Sequence, residues 1–143
     1  MINMADFKEL CHHREFCGGC IYQGTAYSEQ LKEKEKEVLR LLEAKGVTPE
    51  KIDSIEGCPS AFCYRNKMEY TFGDFVKDGE MTLGMHRKKN FMSIVTVDSC
   101  QLVDPDFNVI LKAVLDFAVS EGYTFYHKRS HSGLLRNLII RKG

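Results

Sequence analysis

Residues 64–97 read YRNKMEYTFGDFVKDGEMTLGMHRKKNFMSIVTV, and a period of two runs through them. Lys67, Glu69 and Thr71 alternate with Met68, Tyr70 and Phe72, the mark of a strand with one wet and one apolar face. Asp78-Gly79 is a hairpin signal, because both residues tolerate the left-handed backbone that tight turns need. In the return strand Met81, Leu83 and Met85 alternate with Thr82, Gly84 and His86. Lys88, Lys89 and Asn90 form a second tight connection, and Phe91 to Val97 gives a third strand. The pattern predicts an antiparallel meander.

Outward from this core the period changes. Asp104-Pro105 starts a helix over 104–121, with aspartate as cap and proline in the first turn. Its apolar stripe is Phe107, Ile110, Leu111, Val114, Leu115 and Ala118, and Gly122 closes it. Tyr123–Tyr126 and Leu134–Ile140 read as two further strands, with Leu138 and Ile140 facing in together. Strand character persists to Arg141-Lys142-Gly143, as expected of an end that lies inside a longer protein. On the other side, residues 25–46 are helical. Leu31, Val38, Leu41 and Leu42 share one face, and the charged residues 32–37 form a solvated one. Thr25 or Ser28 is the expected cap, with Gly46 past the end. Residues 1–24 are a Gly- and Cys-rich loop without a period. The whole predicts an α+β fold in a single domain over 1–143: a small antiparallel sheet over 64–143, two main helices and an N-terminal Cys-rich loop.

Composition narrows the class. A chain of 143 residues with 43% hydrophobic content has the apolar mass for one core. A charged share of 28% with 10% aromatics excludes a disordered chain. The longest unbroken apolar run, Ala61 to Tyr64, is too short for a membrane span or a signal-peptide core, and a cytoplasmic location is expected. Twenty Lys or Arg against 20 Asp or Glu gives a formal net charge of zero. The distribution is uneven, since Tyr123 to Gly143 holds five Lys or Arg and no acid.

Six cysteines are the feature that composition leaves unexplained. In a reducing compartment, clustered cysteines mean metal or redox chemistry rather than disulfides. The run is Cys11-His-His-Arg-Glu-Phe-Cys17-Gly-Gly-Cys20. Cysteines two residues apart bite one metal centre, and a third nearby closes a three-thiolate face. Gly18 and Gly19 let the backbone wrap and aim N–H groups at sulfur. Three clustered ligands with a distant fourth suit a cubane iron–sulfur cluster, the fourth being Cys58, Cys63 or Cys100. Zinc and thiol chemistry remain open alternatives. Zinc prefers two paired knuckles, and adjacent His12 and His13 cannot easily both reach one ion.

Cys11-x5-Cys17-Gly-Gly-Cys20-x-x-Gln23, with Tyr27, Gln30-Leu31 and Lys34, resembles the cluster loop of the RNA (uracil-5-)-methyltransferase family, most closely its 23S ribosomal RNA branch, which carries a [4Fe-4S] cluster. Further segments resemble the family in order. They are Tyr64-Arg65-Asn66-Lys67-Met68-Glu69-Tyr70, Leu83-Gly84-Met85-His86-Arg87, Asp98-Ser99-Cys100-Gln101-Leu102 and His131-Ser132-Gly133-Leu134-Leu135-Arg136-Asn137-Leu138. The resemblance implies cluster ligation by Cys11, Cys17, Cys20 and Cys100, leaving Cys58 and Cys63 to packing, with Cys58 a backup ligand. It also implies S-adenosylmethionine as methyl donor, bound in a Rossmann-like catalytic domain with which this sequence has no match. An N-terminal small barrel is likewise unmatched. The chain by itself is therefore expected to be inactive, with no catalytic or S-adenosylmethionine-binding residue of its own.

What this segment would do follows from its charges. Arg65, Asn66 and Lys67 stand at a strand start, and His86 and Arg87 at a hairpin tip beside Lys88 and Lys89. His131 and Arg136 fall in a stretch interleaved with Tyr123, Phe125, Tyr126 and His127. Cations beside aromatics suit looped or single-stranded RNA, and by resemblance ribosomal RNA. The plain reading of Tyr70, Phe72, Tyr123 and Phe125 is core. Two rival functions stay open: an electron-transfer or redox-sensing iron–sulfur protein, and a zinc-stapled structural module.

Overall fold

A computed structural model describes residues 10–143; the first nine residues of the expected 1–24 loop lie outside them. The backbone gathers into two compact units, Tyr22–Ala61 and Leu10–Ile21 with Phe62–Gly143.

The second unit is the α+β body. Strands β1 (Lys67–Asp74), β2 (Met81–Arg87), β3 (Asn90–Thr96) and β4 (Asn137–Arg141) form one antiparallel sheet in the order β3-β2-β1-β4. The meander is as its alternation predicts, and β4 returns to the free edge of β1, with Tyr70 opposite Leu138 and Met68 opposite Ile140. Met68, Tyr70, Phe72, Leu83, Val95, Val97 and Ile140 are buried together with Phe107, Leu111 and Ala118 of helix α2 (Pro105–Ser120). Burying each such large side chain stabilises the fold by roughly 1.5–3 kcal/mol. Asp104 caps α2, its carboxylate accepting from the Asp106 N–H at 3.1 Å, and Pro105 occupies the first turn. Gly122 leaves the helix at φ 67°.

The first hairpin turns through residues 75–80, with Asp78 at φ 59° as its turn signal predicts, while the Asp74 carboxylate accepts from the Asp78 N–H at 2.9 Å. Tyr123–Tyr126 is not a ladder strand. Phe125 bridges Leu135, His127 bridges Ser132, and the Leu134 and Leu135 N–H groups both donate to the Thr124 carbonyl. The segment folds on itself as a loop, so the regular strand begins only at Asn137.

The first unit is built on helix α1 (Tyr27–Ala44). Neither Thr25 nor Ser28 caps it: Ala26 holds the cap position, and Gln30 Nε2 donates to the Thr25 carbonyl at 2.8 Å. Gly46 ends it at φ 66°, as expected. The expected apolar face has no buried residue, and Val38 and Leu41 are 56% and 50% exposed. The reason is local. Residues 51–57 are irregular and touch the helix near its start, where the Tyr27 hydroxyl accepts from the Cys58 N–H and Gly57 sits against Leu31. No helix among the described residues is long and apolar enough to cross a membrane.

Candidate thiol site and basic surfaces

The Cys-rich loop is an annex of the sheet. The Cys17 N–H donates to the His13 carbonyl at 2.8 Å, closing a tight turn. The Gly18 N–H then donates to the His86 carbonyl at 2.9 Å, and the Lys88 N–H to the Phe16 carbonyl at 2.7 Å. Cys17 thus bridges Arg87 across the end of β2. A Cβ on Gly18 would stand 2.8 Å from the His86 carbonyl oxygen, so only glycine allows this approach. The Gly19 N–H points at Cys17 Sγ, 3.4 Å away. His13 Nε2 ties the loop to the residues after β3, at 2.9 Å from Ser99 Oγ and 3.1 Å from Asp98 Oδ1.

Cys100 is held from α2. Its N–H donates to Asn108 Oδ1 at 2.9 Å, and Asn108 Nδ2 donates to its carbonyl at 3.2 Å. The Leu102 and Val103 N–H groups bond its sulfur. Cys17 and Cys100 both pack against the buried core.

All four expected ligands are partly buried. Burial pushes the Cys17, Cys20 and Cys100 thiols above their ordinary value. Next, Cys11 acts on Cys17, Cys20 and Cys100, Cys17 acts on Cys20 and Cys100, and Cys100 acts on Cys20, each raising its neighbour. Lys88 and Arg65 oppose this, favouring thiolate at Cys17 and Cys20 respectively. All six cysteines are free thiols. Among the described residues, no group of three or more His, Cys, Asp or Glu is spaced closely enough to hold a metal ion. The four sulfurs share a neighbourhood, then, without the spacing of a formed single-ion site.

Cys58 and Cys63, expected as packing residues, are exposed. Cys63 sits at φ 54° and its thiol lies 3.8 Å from the Gln101 carbonyl, on a turn that keeps it at the surface. Cys58 is on the irregular segment of the first unit, where no core forms around it.

The basic residues divide into different environments. Arg87 is half-buried, its guanidinium 5.2 Å from the Phe16 ring centre and 5.0 Å from that of Phe75. Lys88 Nζ donates to the Arg14 carbonyl at 2.6 Å. His86 Nδ1 faces the Phe91 carbonyl. The hairpin tip therefore grips the Cys-rich loop. Arg65 is exposed, with its N–H on the Leu102 carbonyl, while the Asn66 carbonyl accepts from the Lys142 N–H and Lys67 pairs with Arg141. Arg136 instead stacks on Tyr126 at 3.8 Å, and the Tyr126 hydroxyl meets His131 Nδ1 at 2.9 Å. His131, Arg136 and the tip residues Lys128 and Arg129 are exposed. Lys142, part of the expected basic edge, is paired with Asp104 and Asp106 at 2.9 and 2.8 Å.

Sequence reasoning did not find Asn108, Phe16 or Phe75. Asn108 reads as one polar residue in an amphipathic helix. The two phenylalanines lie far apart in sequence, so no local period joins them to Arg87.

No protein-family model matches the chain. It is 48% identical over 126 residues to an uncharacterized RNA methyltransferase of Clostridium acetobutylicum, covering 88% of this chain and 28% of the relative. It is 44% identical over 137 residues to another of Caldanaerobacter subterraneus, covering 96% of this chain and 30% of that protein. The chain is a relative of RNA methyltransferases. Its fold matches the Pyrococcus abyssi tRNA (uracil-54, C5)-methyltransferase, solved with S-adenosyl-L-homocysteine, at TM-score 0.64 and 26% identity, over 89% of this chain and 28% of that one. The chain thus spans under a third of the length of these methyltransferase relatives.

Proposed function

We propose that this chain is the iron–sulfur-bearing central domain of an S-adenosylmethionine-dependent RNA (uracil-5-)-methyltransferase, and that it binds and positions RNA for methylation at uridine C5. The relation to RNA methyltransferases and the fold shared with a tRNA (uracil-54, C5)-methyltransferase support the methyltransferase reading, and the resemblance of the Cys11-x5-Cys17-Gly-Gly-Cys20 loop, with Cys100, supports the cluster. The donor set fits a [4Fe-4S] cluster in kind: four free thiols, N–H groups aimed at Cys17 and Cys100, and two cations in reach. A cluster there would act as a staple, since ligation couples directly to folding. Asn108 holds the Cys100 backbone, and the Gly18–His86 bond holds the loop against β2. RNA would lie on the 126–136 loop, with Arg65, Asn66 and Lys67 as further contacts.

Ribosomal RNA is the proposed substrate on the motif's resemblance. The fold match with a tRNA (uracil-54, C5)-methyltransferase favours a second reading, transfer RNA. Methyl transfer by the full-length protein from labelled S-adenosylmethionine, offered 23S ribosomal RNA and transfer RNA in parallel, separates the two. Metal analysis after anaerobic purification tests the cluster. The expected result is about four iron and four sulfide per chain. One zinc per chain would establish the structural-module reading instead. A reversible redox couple without RNA binding would establish electron transfer.

A further inference from the structure

Arg136 lies 3.8 Å from the centre of the Tyr126 ring, much closer than the half-buried Arg87 stands to either of its two rings, and it is exposed. At that spacing a guanidinium with one nitrogen aimed at the ring would drive it inside van der Waals contact, so the group lies nearly flat. Both partners are fixed from behind. The Arg136 carbonyl accepts from the Phe72 N–H of β1 at 2.9 Å, and the Tyr126 N–H donates to the Leu135 carbonyl at 2.8 Å. The Tyr126 hydroxyl meets His131 Nδ1 at 2.9 Å. The turn between them uses two left-handed residues, His131 at φ 52° and Gly133 at φ 98°, where a Cβ would meet the Phe125 carbonyl oxygen at 2.0 Å. No acid occurs in 123–143, and among the described residues no carboxylate pairs with Arg136. A phosphate needs only such a charge, which Lys128 and Arg129 also offer. A flat cation fixed on a ring offers something more, a plane on which a base splayed out of a loop can stack.

We propose that the face of Arg136 turned away from Tyr126 seats one unpaired base of the bound RNA, so that ring, guanidinium and base form a single column. This rests on the RNA-binding reading above and holds for ribosomal or transfer RNA alike. Every base has a π-face, so the seat positions the strand without reading its sequence. Lysine keeps the charge of Arg136 but has no plane, which makes the stack separable from phosphate pairing.

The test uses the full-length protein and a hairpin RNA with an unpaired loop, together with copies in which one loop nucleotide at a time is abasic. Affinity is read by fluorescence anisotropy across a salt series. Wild type is measured first on the intact RNA; no binding there overturns the RNA reading and this proposal with it, before any variant is compared. With binding established, Arg136→Lys is expected to bind the intact RNA about tenfold more weakly at an unchanged salt slope, because the charge stays and the stack goes. At one abasic position wild type is expected to weaken by a similar factor, and there Arg136→Lys should bind within about twofold of wild type, since no base is left to stack. Tyr126→Phe keeps the ring and should bind within about twofold of wild type. Arg136→Lys that binds the intact RNA like wild type would overturn the stack and leave the RNA reading standing. So would a loss in Arg136→Lys of equal size on the intact and on every abasic RNA, or a tenfold loss in Tyr126→Phe, which would place the contact at the hydroxyl.

Discussion

The tip of the β2–β3 hairpin and the loop 126–136 carry similar residues, histidine, lysine and arginine near aromatics. The fold uses them in opposite ways. At the hairpin tip, Arg87 lies between Phe16 and Phe75, Lys88 bonds the Arg14 carbonyl and His86 faces Phe91. In the 126–136 loop, Arg136 stacks on Tyr126 with an exposed guanidinium, and Lys128 and Arg129 stand at an exposed tip. Arg87 and Lys88 are thus engaged with the Cys-rich loop, whereas Lys128 and Arg129 stand exposed at the tip of the other loop.

Substitutions at the two surfaces should separate their roles, and the largest effect belongs to the loop that the hairpin tip holds. Cys17→Ser removes one thiol of the expected ligand set and the acceptor of the Gly19 N–H. Nearly complete loss of bound iron is expected, with a clear drop in melting temperature, read by metal analysis and thermal unfolding. A folded, iron-free variant that melts like wild type would show that the loop needs no staple. Next in size, Arg87→Met keeps an apolar stem between the two rings but removes the charge. A loss of about 1–2 kcal/mol in denaturant unfolding is expected from two cation–π contacts in a partly desolvated site. RNA affinity of the folded variant should change less than twofold. A larger fall in affinity would return the hairpin tip to the interface.

The other surface should respond in reverse. Replacing both Lys128 and Arg129 by alanine is expected to leave melting within about 1–2 °C of wild type, since both are exposed and outside the core. RNA binding should weaken about tenfold, and its salt dependence should flatten by roughly one to two phosphate contacts. Fluorescence anisotropy across a salt series reads both quantities. Melting that falls while the salt slope stays fixed would make this loop structural too.

The sequence was most readable where structure repeats locally. Alternation over 67–97 placed three strands, and Asp104-Pro105 and Gly122 placed the ends of α2, because period and capping are short-range physics. Position 46 was readable for the same reason. The failures share a different cause. Val38 and Leu41 have the helical period of a buried face, yet burial requires a partner surface that period cannot guarantee. Tyr123–Tyr126 has strand-like composition, but its one bridge, Phe125 to Leu135, runs to a nearby loop residue rather than to the sheet. The thiol site was half readable. Spacing marked Cys11, Cys17 and Cys20, while the hold of Asn108 on Cys100 depends on a contact between distant elements.

The smallest predicted effect concerns Lys142, the member of the C-terminal basic group that belongs with neither surface. Hydrogen bonding from Lys142, and then from the Asp106 N–H, holds the Asp104 carboxyl below its ordinary range. Asp106 and Asp104 in turn raise the Lys142 ammonium above its ordinary value. A depressed carboxyl contributes stability above its unfolded pKa and loses it as pH falls through the folded one. A raised ammonium contributes below its unfolded pKa and loses it as pH rises through the folded one. The pair therefore acts fully at neutral pH and fades toward both strong acid and strong base. Both partners are exposed, so solvent screening keeps the contribution small. Lys142→Ala should lower unfolding stability slightly at neutral pH, and the difference should vanish in strong acid and shrink in molar salt. RNA affinity should barely change, unlike the response to Lys128 and Arg129. A loss of RNA binding equal to theirs would mean that RNA competes successfully with Asp104 and Asp106 for this side chain.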